Sequence, residues 1–406
     1  MHSELSSASR LSNLIDCYDS TDLKKQIYSF SESDQYLDIR NLAKVIIEQD
    51  FERVIFLSTS SIVFNYIDLL VQLGYCGSFI FHVDENFVAS SKQWIKLSDL
   101  DCHFVCSSNR QLEFVRSFLS EPAQASLLSP VVKKNIELVA ASKLRKKMNI
   151  ADDELVLLYH GDLSRQQHII ELTSLVLKFC AQISPKVNLW LCGQFKDVGI
   201  PLVGKTELEY EHYQSWLQLC RESPYGHKVV HLGEVESDQL ADLYAGADWG
   251  VFLGSDPAVD FDHAALCALS HGLPCVLSDW AGHSDLVFDG FVRTLPVKVS
   301  GFHLSPDLKR FTKDLFLMLN KSSRSSSDVK SSCAKHYQTS FSSANASVQL
   351  KKILNIKKPF KGFNLRMEQL AAAFERNPYA PFVDVTSYGG YNQEFEDIYA
   401  SYFGHT

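Results

Sequence analysis

"DPAVDFDHAALCALSHGLPCVLSDWAGHSDLV" (residues 256–287) divides into four segments with different physical demands. An acidic loop with Asp256, Asp260 and Asp262 leads into a run of small and apolar residues with helical character. Gly272, Leu273 and Pro274 stop that helix, because glycine takes the left-handed cap and proline cannot continue the hydrogen-bond ladder. "CVLS" then follows as a short apolar run, as expected of a strand covered on both faces. This is one helix-to-strand unit of a parallel sheet.

Working outward, the same alternation recurs. "ELVLLYHGDLS" (154–164) is a strand running into a Gly-containing loop, and "QHIIELTSLVLKFCAQI" (167–183) is an amphipathic helix. "VNLWLCGQF" (187–195) is the next strand, and "KVVHLGEVESDQLADLYAGADWGVFLGSD" (228–256) reads as strand, helix and strand, with Ser237 as N-cap and Gly246 near the helix end. A first array precedes these. Its strands are "RVIFLSTS" (53–60), "GSFIFHVDE" (77–85), "CHFVCSS" (102–108) and "ASLLSPVV" (125–132), separated by helical stretches at 61–74 and 109–121. Alternating strands and helices give an α/β class with parallel sheets. Two arrays predict two Rossmann-like domains facing each other across a cleft, with ligands gathering there. The expected boundaries are a polar helical segment (1–50), a short first domain (51–138), a second domain (139–356) and an aromatic-rich C-terminal extension (357–406).

At 406 residues the chain is long enough for two cores. Its 46% hydrophobic and 21% charged residues suit a globular protein, and no apolar run reaches bilayer-spanning length. The N-terminus lacks an apolar signal core, so a cytoplasmic location is expected. A formal charge of −9 argues against a nucleic-acid partner. The ten cysteines are scattered, several inside strand-like runs, which suits reduced, buried thiols. Cys102 and Cys106 lack zinc-ligand spacing. "KLRKKMN" (143–149) is either a solvated helix face or a contact to an anionic membrane.

The stretches at 144–164, 187–195, 229–256, 265–290 and 340–355, in this order and spacing, resemble the C-terminal domain of GT-B glycosyltransferases of the retaining GT4 type. The resemblance is good over 140–355 and fainter over 50–135, where the opening strand and Gly-rich loop of such enzymes are not evident. It implies a retaining transfer of a hexose from a nucleoside diphosphate sugar, UDP- or GDP-linked, to a hydroxyl on a glycan, lipid or protein acceptor, with no cofactor and no metal. The alternative is a non-catalytic relative that binds a glycan, nucleotide or partner enzyme.

The resemblance also assigns roles. In the family a Gly-Arg-Leu-Ser-x-x-Lys loop neutralises the donor diphosphate. Here "HGDLSRQQH" keeps Gly161 but has Asp162 for the Arg and Gln167 for the Lys, leaving Arg165 as the nearby cation. The family's Glu-x7-Glu pair, which holds sugar and ribose hydroxyls, falls on Val259 and Cys267. Asp256, Asp260, Asp262 and His263 crowd the same loop, Asp260 standing next to the first Glu position. They are also oxygen-rich enough to hold a divalent cation. Backbone at 281–285 is expected at the donor's edge, and Gly193, Gln194 and Val235 near its base. On the acceptor side, His82 at a strand end is the leading catalytic candidate, with Asp84 and Glu85 as possible general bases. Residues 357–406 are expected to pack back across the domains or to mediate self-association.

Overall fold

The computed structural model describes residues 14–19, 26–28, 36–83, 87–132, 142–196, 209–257, 259–301, 303–319, 327–356, 359–378, 380–383 and 390–404. The first sheet consists of β1 (Arg53–Phe56), β2 (Ser78–His82), β3 (Cys102–Cys106) and β4 (Ala125–Leu127), all parallel and adjacent in chain order. Aromatic residues fix its core. Phe81 lies opposite Phe104 in the β2–β3 register, their rings 5.8 Å apart, and Trp94 meets Phe81 edge-on at 5.1 Å. Each of these side chains is fully buried, contributing about 2 kcal/mol or more.

The second sheet contains β5 (Leu155–His160), β6 (Val187–Cys192), β7 (Val229–Gly233), β8 (Trp249–Phe252), β9 (Cys275–Asp279), β10 (Val292–Ser300) and β11 (His303–Pro306). The order is β11-β10-β9-β8-β5-β6-β7. Only the β10–β11 pairing is antiparallel. β5 and β6 are both interior strands and are buried along almost their whole length, which is why both read as apolar runs. Helices Ile169–Gln182 and His263–Ser270 cover the sheet, the latter wedged between β8, β9 and helix Ser327–Ser340.

Several expectations are refined. The helix Ser237–Gly246 is capped by Glu236, whose carboxylate takes the N3 backbone N–H while Gln239 returns a bond to the Glu236 N–H. Ser237 is therefore the first helical residue, and the box is built from Glu and Gln. The hairpin β10–β11, turning at Gly301 with φ +62°, was not anticipated, although "VRTLPVKVSGFHLSP" alternates as a strand pair should. The basic helix Ser142–Lys147 turns Arg145 inward. Its guanidinium pairs with Asp248 at 3.0 Å and donates to the carbonyls of Gly246, Ala151 and Glu154. That arginine is a structural clamp, so the cluster loses part of the charge a membrane contact would use.

After the second sheet the chain crosses back. Helix Ser343–Leu354 lays Ala346, Leu350, Ile353 and Leu354 against Ile80, Val105 and Leu128 of the first domain. Helices Leu365–Arg376 and Gln393–Ile398 and the turn Ala400–Tyr402 then join the first domain's main core, with Met367, Leu370, Phe395, Tyr399 and Tyr402 buried.

Candidate functional site

Strand order reverses once in the second sheet, between β5 and β8, so the loops leaving their carboxyl ends diverge and leave a crevice. The first sheet runs in one direction and has no such reversal. Residues 161–168 and 253–262 are therefore the loops that topology places around the crevice. They are tied together: Ser255 donates its N–H to the Gln166 carbonyl at 3.2 Å, and His168 Nε2 lies 2.7 Å from Ser255 Oγ. Burial and the nearby His303 hold the His168 pKa down at about 4. Gln167, the residue at the family's lysine position, lies against Gly254, where any β-carbon would collide with its amide.

Three glycines close the neighbouring strand ends. Gly161, Gly193 and Gly233 have φ of +132°, +134° and +69°, conformations that side chains disfavour. Gly161 donates to the Cys192 carbonyl at 3.0 Å, and Gly193 to the Gly233 carbonyl at 2.8 Å. His231 Nε2 lies 2.9 Å from the Gly193 carbonyl. These backbone groups thus knit the strand ends to each other, while the Gln194 side chain is exposed and Val235 packs half-buried on the core.

Asp162 is ion-paired with Lys196 at 2.9 Å, so the loop after β5 is not flanked by Arg165 alone. This corrects the sequence reading, which left Lys196 out because it belongs to the following strand's loop. Arg165 is half-buried in the turn Arg165–Gln167.

The acidic loop departs most from expectation. Asp262 is the N-cap of helix His263–Ser270, accepting from Ala264 N at 2.8 Å and Ala265 N at 3.0 Å. His283 Nε2 stands 3.3 Å from its other oxygen. Burial works against the Asp262 charge, yet the His283 bond and charge, the Ala265 N–H and His160 together hold its carboxyl below the usual range. This carboxylate thus caps the helix and pairs with His283. Asp260 is buried and accepts from Ser107 Oγ of the first domain at 2.8 Å. Asp256 uses its carbonyl to hold Trp280 Nε1 at 3.1 Å and lies near the C-terminal tyrosines 391 and 399. Val259 is exposed. Cys267 is half-buried, its Sγ 3.7 Å from His271 Nδ1. Among the described residues no three His, Cys, Asp or Glu side chains converge as a metal site.

Residues 281–285 lie within a short 3-10 turn, Ala281–Leu286, that faces the first domain. Gly282 gives its N–H to the Asp260 carbonyl at 2.7 Å and His283 to that of Trp280 at 3.1 Å. Those two donors are therefore spent within the protein.

On the opposite side, His82 ends β2, buried, with Nε2 2.7 Å from Tyr18 Oη. Asp84 and Glu85 lie outside the described residues. His82 and His263 line one small cavity, open to solvent, together with Cys106, Ser107, Leu128 and Ser129. The structure thus brings His82, at the end of β2, and His263, at the start of a helix packed on the second sheet, to the same space. Sequence reasoning missed Ser107, although "CSSN" marks the strand end that carries it.

Residues 141–322 match the family model described as glycosyl transferases group 1. A curated relative, the lipopolysaccharide 1,2-N-acetylglucosaminetransferase of Salmonella typhimurium, is 26% identical over 218 residues, 52% of this chain and 50% of that protein. The chain spans about half the length of this curated relative. Among solved structures, Anabaena HepE in complex with UDP superposes with a TM-score of 0.58 at 14% identity, covering 78% of this chain and 81% of that one. Sucrose-phosphate synthase from Thermosynechococcus elongatus gives 0.57 at 15%, covering 86% and 82%. At these identities the structural likeness speaks for the fold. None of the described helices is long and apolar enough to cross a membrane. The chain therefore has the GT-B fold, and its residues 141–322 are similar to the group 1 glycosyl transferases.

Proposed function

We propose that the protein is a glycosyltransferase that moves a hexose, with retention, from a nucleoside diphosphate sugar to a hydroxyl acceptor, using no cofactor. The observations that carry this reading are the GT-B fold, the match of residues 141–322 to the group 1 glycosyl transferases, and the cavity into which His82 and His263 both face. The donor's diphosphate is assigned to the turn Arg165–Gln167, with Arg165 as its cation and Lys196 held nearby by Asp162. The nucleoside is assigned to the glycine-closed ends of β6 and β7, near Gln194 and Val235. His82, oriented by Tyr18, meets the reacting sugar from the acceptor side. The Asp260 carboxylate contributes from the cavity's rim. The developing charge on the leaving diphosphate is held by Arg165 and loop dipoles.

A second reading, binding without transfer, has one specific observation in its favour. Asp262 is consumed as a helix cap, and Val259 and Cys267 stand where carboxylates would hold the donor. The test is calorimetric titration with UDP, GDP and their sugars, followed by measurement of released nucleotide. Binding of one nucleotide with turnover that drops about 100-fold in His82→Ala supports the transferase. Tight binding with no turnover selects the second reading, and no binding of either nucleotide overturns both.

A further inference from the structure

Helix Leu308–Met318 has two unlike faces. Phe311, Leu315 and Met318 are fully buried in the second domain's core, and Leu308 packs beside them. At about 100° per residue, Lys309, Arg310, Lys313, Phe316 and Leu317 fall within a sector of about 120° on the opposite side. All five are exposed, Phe316 by 59% and Leu317 by 47%. The outward side of a helix packed on a core is ordinarily polar throughout, so an aromatic and an aliphatic side chain set beside three cations point to a binding surface.

The acids of the same helix do not neutralise that face. Asp314 lies 2.9 Å from Arg293, which comes from β10, and Asp307 is the N-cap, accepting the Arg310 backbone N–H at 3.0 Å. In a chain of formal charge −9, this stripe is therefore a local reversal of sign. The basic stretch at 143–149 differs, because Arg145 there is turned inward onto Asp248.

The chemistry of the stripe selects its occupant. Two apolar side chains supply only a small part of the roughly 800 Å² per partner that a stable protein interface buries. Three cations beside a Phe and a Leu match a layer of anionic head groups lying over acyl chains. We infer that helix Leu308–Met318 seats the protein on an anionic lipid surface, with Phe316 and Leu317 entering the head-group layer and Lys309, Arg310 and Lys313 meeting lipid phosphates. Each cation near such a surface favours binding about fivefold, so the three together contribute on the order of 100-fold. None of the five lines the cavity of His82 and His263, so the lipid contact is separate from the proposed transfer site.

The test is co-sedimentation of the full chain with vesicles of phosphatidylcholine alone and of phosphatidylcholine with about one third phosphatidylglycerol. It is run without nucleotide or sugar, so its outcome is independent of the proposed reaction. The expected result is binding to the anionic vesicles only, weakened by added salt. It falls about 100-fold when Lys309→Ala, Arg310→Ala and Lys313→Ala are combined, and about tenfold or more in Phe316→Ser with Leu317→Ser. Both variants are expected to melt with the unaltered chain, because the five side chains face solvent. Should either melt lower, Lys309→Gln with Lys313→Gln carries the same measurement. Absence of binding to anionic vesicles, equal binding to both vesicles, or binding unchanged in the variants overturns the inference. Self-association in the ultracentrifuge that Phe316→Ser abolishes also overturns it, by assigning the stripe to a second copy of the chain.

Discussion

The carbonyl oxygen of Gly161 occupies the space that a β-carbon on Gly193 would need. Two strand ends, β5 and β6, approach so closely because neither carries a side chain there, and Gly193 also sits at φ +134°. Gly193→Ala must push the two loops apart or strain the backbone. We expect a loss of about 2 kcal/mol or more in urea unfolding, and weaker nucleotide binding in the variant that remains folded.

Arg145 and Asp248 are each 13% exposed and hold helix Ser142–Lys147 to the start of β8. Asp248 also accepts the Val156 N–H at 2.8 Å, so the pair anchors β5 as well. Removing the arginine strands a buried carboxylate. Arg145→Ala is expected to cost about 3 kcal/mol by denaturant unfolding, well above the effect of Lys146→Ala on the exposed side.

Two buried histidines set a pH dependence. Burial holds His103, 3.0 Å from Ser126 Oγ, and His168 at about 4. In the unfolded chain each takes up a proton near its ordinary value of about 6.5, whereas the folded chain resists until about 4. The stability they confer is complete above that ordinary value and drains away as pH falls toward the folded one, at about 1.4 kcal/mol per pH unit for each. Melting temperature is expected to fall steadily from pH 6.5 to 4, with a shallower slope in His103→Gln. Asp262, held low, adds its own loss only further into acid.

Arg165→Ala is expected to weaken binding of UDP or GDP about tenfold or more, as loss of a charge-assisted contact to phosphate does. Lys196→Ala releases Asp162 beside the same turn and is expected to weaken binding too. Calorimetry of both variants checks this, and unchanged affinity in Arg165→Ala removes that residue from the phosphate contact.

The strands of both sheets were legible because each parallel strand covered on two faces must be a short apolar run, as "LVLLYH" and "CHFVC" are. What local pattern does not carry is the pairing of distant residues. Asp256, Asp260 and Asp262 read as a ligand-binding acidic cluster, yet Asp260 takes the hydroxyl of Ser107, 153 positions away in the chain. Asp262 illustrates a nearer ambiguity, because an aspartate before an apolar helix serves equally as cap or as ligand.

The crossing-back of residues 343–403 has a consequence for biogenesis. The second domain's core is drawn mainly from Leu155 to Phe341 and is complete in one contiguous stretch. The first domain's core holds Phe56, Phe81 and Phe104 but also Met367, Phe395 and Tyr402. A chain emerging from the ribosome thus completes the second core first, and its earlier sheet waits for Met367, Phe395 and Tyr402 before it is sealed. Termination ahead of Met367 would leave that aromatic-rich sheet uncovered, a species suited to capture by chaperones and to rapid degradation.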